Sequence, residues 1–170
     1  MSDRFPAEIS IGGQIPEALV EDLVDAIFSE GVSWDWGDAY VKKDEVRAAL
    51  QEGKIVTFVN DEASYGEFTD LENFCADNFV DFDRQSTAKY EYDGISIYCR
   101  DGDIIEYFST QNGKCLVEAK KIENFIKFFQ KTSKKGLWEA SEILKKLRQI
   151  VPIVTELTPV QIVETQPDPE

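Results

Sequence analysis

The chain reads as an α+β fold: one domain over residues 1–163, mainly an antiparallel sheet with its meander at about 88–118, packed against about five helices. Three observations predict it. Between Tyr90 and Lys120, short runs rich in β-branched and aromatic residues are divided by Asp93-Gly94, Asp101-Gly102 and Asn112-Gly113. Such dipeptides suit two-residue hairpins, because both central residues take φ > 0. Elsewhere apolar residues recur at helical spacing. With 170 residues, 42% of them hydrophobic, the chain is long enough to bury a core and is not compositionally disordered.

In chain order, Ala7 to Ile11 is a strand ending at Gly12-Gly13. Pro16 opens a helix whose stripe is Leu19, Val20, Leu23, Val24 and Ile27, and Gly31 ends it. Ser33 to Gly37 (SWDWG) is a loop or irregular strand, with Trp34 and Trp36 on one face and expected in the core. Asp44 N-caps a helix to Gln51, and Lys54 to Val59 is a strand. Asn60 to Gly66 is a polar connection. Thr69 to Asn78 is a helix with a Thr69/Glu72 capping box and buried Leu71, Phe74 and Cys75. Phe79 to Asp83 is a strand and Arg84 to Ala88 a loop. The meander follows, with runs at Tyr90–Tyr92, Ile95–Arg100, Ile104–Thr110 and Lys114–Glu118. Ile122 to Lys131 and Leu137 to Ile150 are amphipathic helices around a basic break, KTSKKG. Val151 onward is an extended arm, and 164–170 is a frayed acidic tail.

Composition removes whole classes of chemistry. There is no histidine, which excludes His-dependent triads and His-ligated metals. Cys75, Cys99 and Cys115 are odd in number and never at CxxC spacing, so reduced packing thiols are expected rather than disulfides or zinc. No run is apolar enough to span a membrane, and MSDRFPAEIS lacks the regions of a secretory signal; a cytoplasmic protein is expected.

The formal net charge is −15, unevenly placed. Residues 61–106 hold thirteen carboxylates against three cations, whereas 120–148 hold nine Lys or Arg against three Glu. An acidic body repels nucleic acid and anionic membranes and attracts basic partners. The carboxylates expected at such a surface are Glu17, Glu21, Asp22, Asp25, Asp61, Glu62, Glu67, Asp70, Asp77, Asp81, Asp83, Asp93, Asp101 and Asp103. The basic 120–148 region suits the acidic body of a second copy, a possible homodimer.

P-loop, dinucleotide and GxSxG signatures are absent, and no cofactor is expected. Asp81-Phe82-Asp83 and Asp101-Gly102-Asp103 space carboxylates two apart but lack the remaining ligands of an EF-hand loop, so no metal is expected either. Gly12-Gly13-Gln14 resembles the GGQ of peptide-release factors over those three residues alone; a strand-to-helix turn accounts for the glycines. Asp103, a hairpin at Asn112-Gly113, then Glu118-Ala119-Lys120 before a helix resembles the PD-(D/E)xK nucleases. That resemblance implies carboxylates of Asp103 and Glu118 on Mg²⁺, Lys120 beside the attacking water, and Glu67 or Glu72 as a helix carboxylate. The Pro before the Asp is missing.

Two functions from different classes follow. One is a non-enzymatic interaction module, most concretely a nucleic-acid mimic that blocks the basic site of a nucleic-acid-binding protein, as anti-defence inhibitors of phages and mobile elements do. An acidic immunity or regulatory protein belongs to the same class. The other is a Mg-dependent hydrolase built on Asp103, Glu118 and Lys120.

Overall fold

The computed structural model describes residues 3–87, 93–110, 114–134, 140–151 and 154–164. The elements run β1 (Arg4–Gly12), β2 (Gln14–Pro16), a 3-10 turn (Glu17–Leu19), α1 (Val20–Ser29), α2 (Lys43–Gln51), β3 (Val56–Ser64), α3 (Thr69–Asp77), β4 (Asp81–Ser86), β5 (Gly94–Arg100), β6 (Asp103–Ser109), α4 (Ala119–Lys134), α5 (Ala140–Arg148) and β7 (Gln161–Val163). The result is the expected α+β fold.

Five strands form one antiparallel sheet in the order β3-β1-β4-β5-β6. Alternation decides which face meets the helices. Ile9 and Ile11 of β1, Phe58 of β3, Phe82 of β4 and Cys99 of β5 all point one way and are fully buried. They meet Leu23, Val24 and Ile27 of α1, Val46 and Leu50 of α2, and Leu71 and Cys75 of α3. Burying each such side chain is worth about 1.5–3 kcal/mol, and this cluster is the main stabilising term. α1 packs between α2 and α3. It runs from the end of the sheet where β1 finishes to the end where β1 starts; α2 and α3 run back.

One charged side chain is folded into this core. Arg84 sits on β4 between Ile9 and Ile97 and is 2% exposed. Its Nε donates to Glu72 Oε1 at 3.0 Å, and the same oxygen accepts the Phe68 N–H at 2.9 Å. Arg84 Nη1 is buried without a hydrogen-bond partner among the described residues. An uncompensated charge here is costly, so the pair ties α3 to the sheet in one register.

The C-terminal arm closes the other side. Arg100 donates from Nε and Nη2 to the Thr155 carbonyl at 3.1 and 2.9 Å. β7 pairs in parallel with β2, Ile15 opposite Ile162. Gly13 donates its N–H to Thr158 and accepts from Gln161, both at 2.9 Å. A Cβ on Gly12 would overlap the Thr158 carbonyl oxygen, so glycine is needed for the arm to approach. The Gly12-Gly13-Gln14 motif thus serves this junction.

Several local expectations are corrected. β3 continues through Asn60 to Ser64, past a register shift in its pairing with β1 between Phe5 and Ala7, where a polar connection was expected. The expected loop after Arg84 is strand as far as Ser86, because β1 and β5 flank it. Phe79 is not in a strand: it takes φ 57° in the turn after α3 and is exposed. α2 starts at Lys43, with the Lys42 N–H held by Glu45 at 3.2 Å rather than a cap from Asp44. In α3, Glu72 reaches back to the N–H of Phe68, one residue before the expected Thr69 cap. Asp101 and Gly102, at φ 51° and 80°, form the predicted tight turn. Of the expected meander, the described strands are β5 and β6, with β4 added before them; Lys114–Glu118 makes only a bridge from Cys115 to Ser109. α4 runs on to Lys134, into the expected basic break. The expected strand at Tyr90–Tyr92, the Asn112-Gly113 turn and the tail at 165–170 lie outside the described residues.

Candidate partner-binding surface

The carboxylates expected at a binding surface divide into paired and unpaired groups. On α1, Glu21 takes two bonds from Arg47 of α2, both 2.6 Å, and Asp25 takes one from Lys43 at 2.7 Å. The Arg47 bonds hold the Glu21 carboxyl below its ordinary range. These two residues therefore serve the α1–α2 seam. Glu17 and Asp22 have no cation beside them among the described residues.

The rest are gathered by topology at the two ends of the sheet. Where β1 finishes lie Asp77, Asp81, Asp101 and Asp103, brought there by the end of α3, the start of β4 and the β5–β6 turn. Asp81 Oδ1 accepts the Asp101 N–H at 3.1 Å, and both residues line a cleft of about 370 Å³ with Gln14, Phe79 and Thr158. Asp83 lies on the far face, 2.7 Å from Arg100; burial pushes its pKa up, and Arg100 opposes that. Where β1 starts lie Asp61, Glu62, Glu67 and Asp70, with Asp93 at the head of β5. Here Glu30, at the end of α1, accepts the N–H groups of Asp70 and Leu71, both at 3.1 Å. Burial raises the Glu30 pKa against the pull of those two donors.

In the Asp103, Glu118 and Lys120 set, the last two side chains are each paired with a residue outside the set. Glu118 pairs with Lys121 and Lys120 with Glu123, both at 3.3 Å, and all four are exposed. A cleft of about 280 Å³ between β6, residues 115–118 and the ends of α4 and α5 includes Glu118, but neither Asp103 nor Lys120 lines it. Among the described residues no group of three or more His, Cys, Asp or Glu is placed to hold a metal.

No protein-family model, curated protein or solved structure matches this chain.

The feature that sequence reasoning misplaced is the loop of residues 33–41. Trp34 and Trp36, expected in the core, are 38% and 45% exposed, and Tyr40 is 74% exposed. Trp34 meets the core at the Phe58 ring, the two ring centroids 4.9 Å apart and the planes tilted by 31°. The loop is held at its base by bridges from Ser33 to Tyr40 and to Val59, and by Val41 N–H to the Val32 carbonyl at 2.9 Å. Asp35 accepts the N–H of Trp36 at 2.8 Å and Asp61 that of Gly37 at 3.0 Å. Glu45 is held below its ordinary pKa range by the Lys42 N–H first, and also by a bond from Trp34. The alternation of Trp34, Asp35 and Trp36 puts both rings on one face but does not say whether that face is covered.

The cations have gone elsewhere. α4 and α5 carry most of the C-terminal lysines, and their stripes are open: Ile122, Ile126, Leu144 and Leu147 are all exposed. Among the described residues no helix is long and apolar enough to cross a membrane.

Proposed function

We propose that the protein is a cytoplasmic, non-enzymatic interaction module that occupies the basic nucleic-acid-binding site of a partner protein. The observation that carries this reading is that most of the expected carboxylates are left without cations among the described residues, Glu17, Asp22, Asp70, Asp77, Asp101 and Asp103 among them. They project from helices and a tight turn on a packed core, so their spacing is fixed before the partner arrives. DNA presents one charge per about 1.7 Å of axis, and a surface that competes with it needs many fixed charges. Anti-defence inhibitors use such surfaces; an immunity protein masking a basic toxin would use the same chemistry.

The test is capture from the native host on the immobilised chain at low salt, read by mass spectrometry. The expected catch is a basic nucleic-acid-binding protein, released as salt rises and absent when Asp22, Asp70, Asp77, Asp101 and Asp103 are all changed to Asn. A catch that survives both treatments contradicts the reading.

The exposed apolar stripes of α4 and α5, flanked by lysines, support a second contact of the same kind: a homodimer in which this basic pair covers acidic surface of another copy. Sedimentation at high and low salt tests it. A monomer throughout the micromolar range at low salt counts against it.

A further inference from the structure

Large aromatic side chains are costly to leave in water, yet one short loop shows Trp34, Trp36 and Tyr40, with Phe28 of α1 also exposed. We infer that loop 33–41 is the anchor of the partner-binding surface, and that it takes an arginine-bearing basic segment of the partner protein. This rests on the reading above, that the partner is basic.

Charge selects the occupant. Asp35 and Asp38 lie between the exposed rings in the chain, and Asp61 closes the loop from β3. The donors to Asp35 and Asp61 are uncharged backbone N–H groups, and neither carboxylate has a cation beside it among the described residues. The nearby cations are already matched, Lys42 to Glu45 at 3.4 Å and Lys43 to Asp25 at 2.7 Å. An apolar partner would dehydrate these carboxylates with nothing in return. A guanidinium satisfies both features at once: its plane stacks on an indole or phenol face, and its forked donors reach a carboxylate. Lysine offers a point charge and stacks less well.

The loop is also prepared for binding. Its base is bonded to β3, Trp34 is fixed on Phe58, and the Trp36 and Gly37 N–H groups are tied down. Rings held in place before contact lose little freedom on binding, which is where Trp and Tyr gain their weight at interfaces. The loop joins the acidic surface through Gly31. The Tyr40 ring packs beside it, and Asn60 donates to the carbonyls of Glu30 and Gly31 at 3.0 and 3.3 Å. Glu30 in turn holds the start of α3 at Asp70.

The test uses octa-arginine and octa-lysine peptides as probes. Tryptophan emission is read in a Trp138→Phe chain, so that Trp34 and Trp36 alone report. Octa-arginine is expected to bind and to change the emission, and octa-lysine to bind more weakly. Trp36→Ala and Tyr40→Ala are each expected to weaken octa-arginine binding by about fivefold or more, in line with losing a cation–π contact. Both side chains are exposed, and a thermal melt checks that each variant folds. Equal binding of the two peptides with unchanged emission, or full affinity in both loop variants, overturns the inference while leaving the acidic-surface reading intact. Failure of the unaltered loop to bind octa-arginine at low salt overturns both.

Discussion

The molecule is built from two unlike regions. The sheet with α1, α2 and α3 buries most of its apolar stripes and leaves most of its carboxylates outside. α4 and α5 are as regularly amphipathic in sequence, yet Ile122, Ile126, Leu144 and Leu147 stay exposed. The difference teaches that an apolar stripe states only that a helix needs a cover. In the body three helices share one sheet face and cover it over β3, β1, β4 and β5. The face of β6 on that side is itself open, with Ile104 and Phe108 more than half exposed. The cations lie with the uncovered stripes and the free carboxylates with the covered ones, so the two regions have opposite electrostatic character.

The largest effect belongs to the body. Glu72→Ala strands Arg84 in the core and is expected to cost about 3–5 kcal/mol in urea unfolding. Replacing both residues, as Glu72→Leu with Arg84→Met, is expected to recover most of it. Phe82→Ala, fully buried, is expected to cost about 3–5 kcal/mol by the same measurement. In the other region, Ile126→Ala and Leu144→Ala are expected to cost under about 1 kcal/mol in dilute protein, because water already reaches both side chains. A cost that grows with protein concentration would reveal a second copy as the cover.

A smaller effect separates the carboxylates by pH. Glu30 has its pKa raised in the fold, so between 4.5 and that higher value the folded chain holds more proton than the unfolded one. Its contribution to stability is gained as pH falls through this window and lost as pH rises. Glu30→Gln keeps an acceptor for the Asp70 and Leu71 N–H groups and removes the charge. The variant is therefore expected to gain on the parent chain as pH rises above 4.5, read as the difference between their stability profiles. The smallest effect is at the α1–α2 seam. Arg47→Gln removes exposed ion pairs and is expected to cost under about 1 kcal/mol, less still at high salt.

Much of the fold was legible because the strands alternate and the helices keep their stripes. Ile95, Ile97 and Cys99 face the helices, and Tyr98 stacks with Tyr107 on the other side, hydroxyl to hydroxyl at 2.7 Å. What was not legible depended on partners far away in the chain. Arg84 reads as a loop residue until Glu72 is placed above it. Gly12 reads as a strand end until the arm at Thr158 crosses it. Trp34 and Trp36 read as core until Ser33 is pinned to Val59, with Trp34 against Phe58 and both rings left exposed. For the surface, charge density pointed to the acidic body, but not to the pairing of Glu21 and Asp25 by α2, nor to the aromatic loop beside Asp61.

The central claim is that the acidic body takes the place of nucleic acid on a basic partner. It is tested most directly by competition. The partner recovered from the host is loaded with labelled nucleic acid, and this chain is titrated in at several salt concentrations. Displacement at stoichiometric protein, weakening steeply as salt rises and lost in the Asp22, Asp70, Asp77, Asp101 and Asp103→Asn variant, is the predicted result. A ternary complex in which the partner keeps its nucleic acid would contradict it.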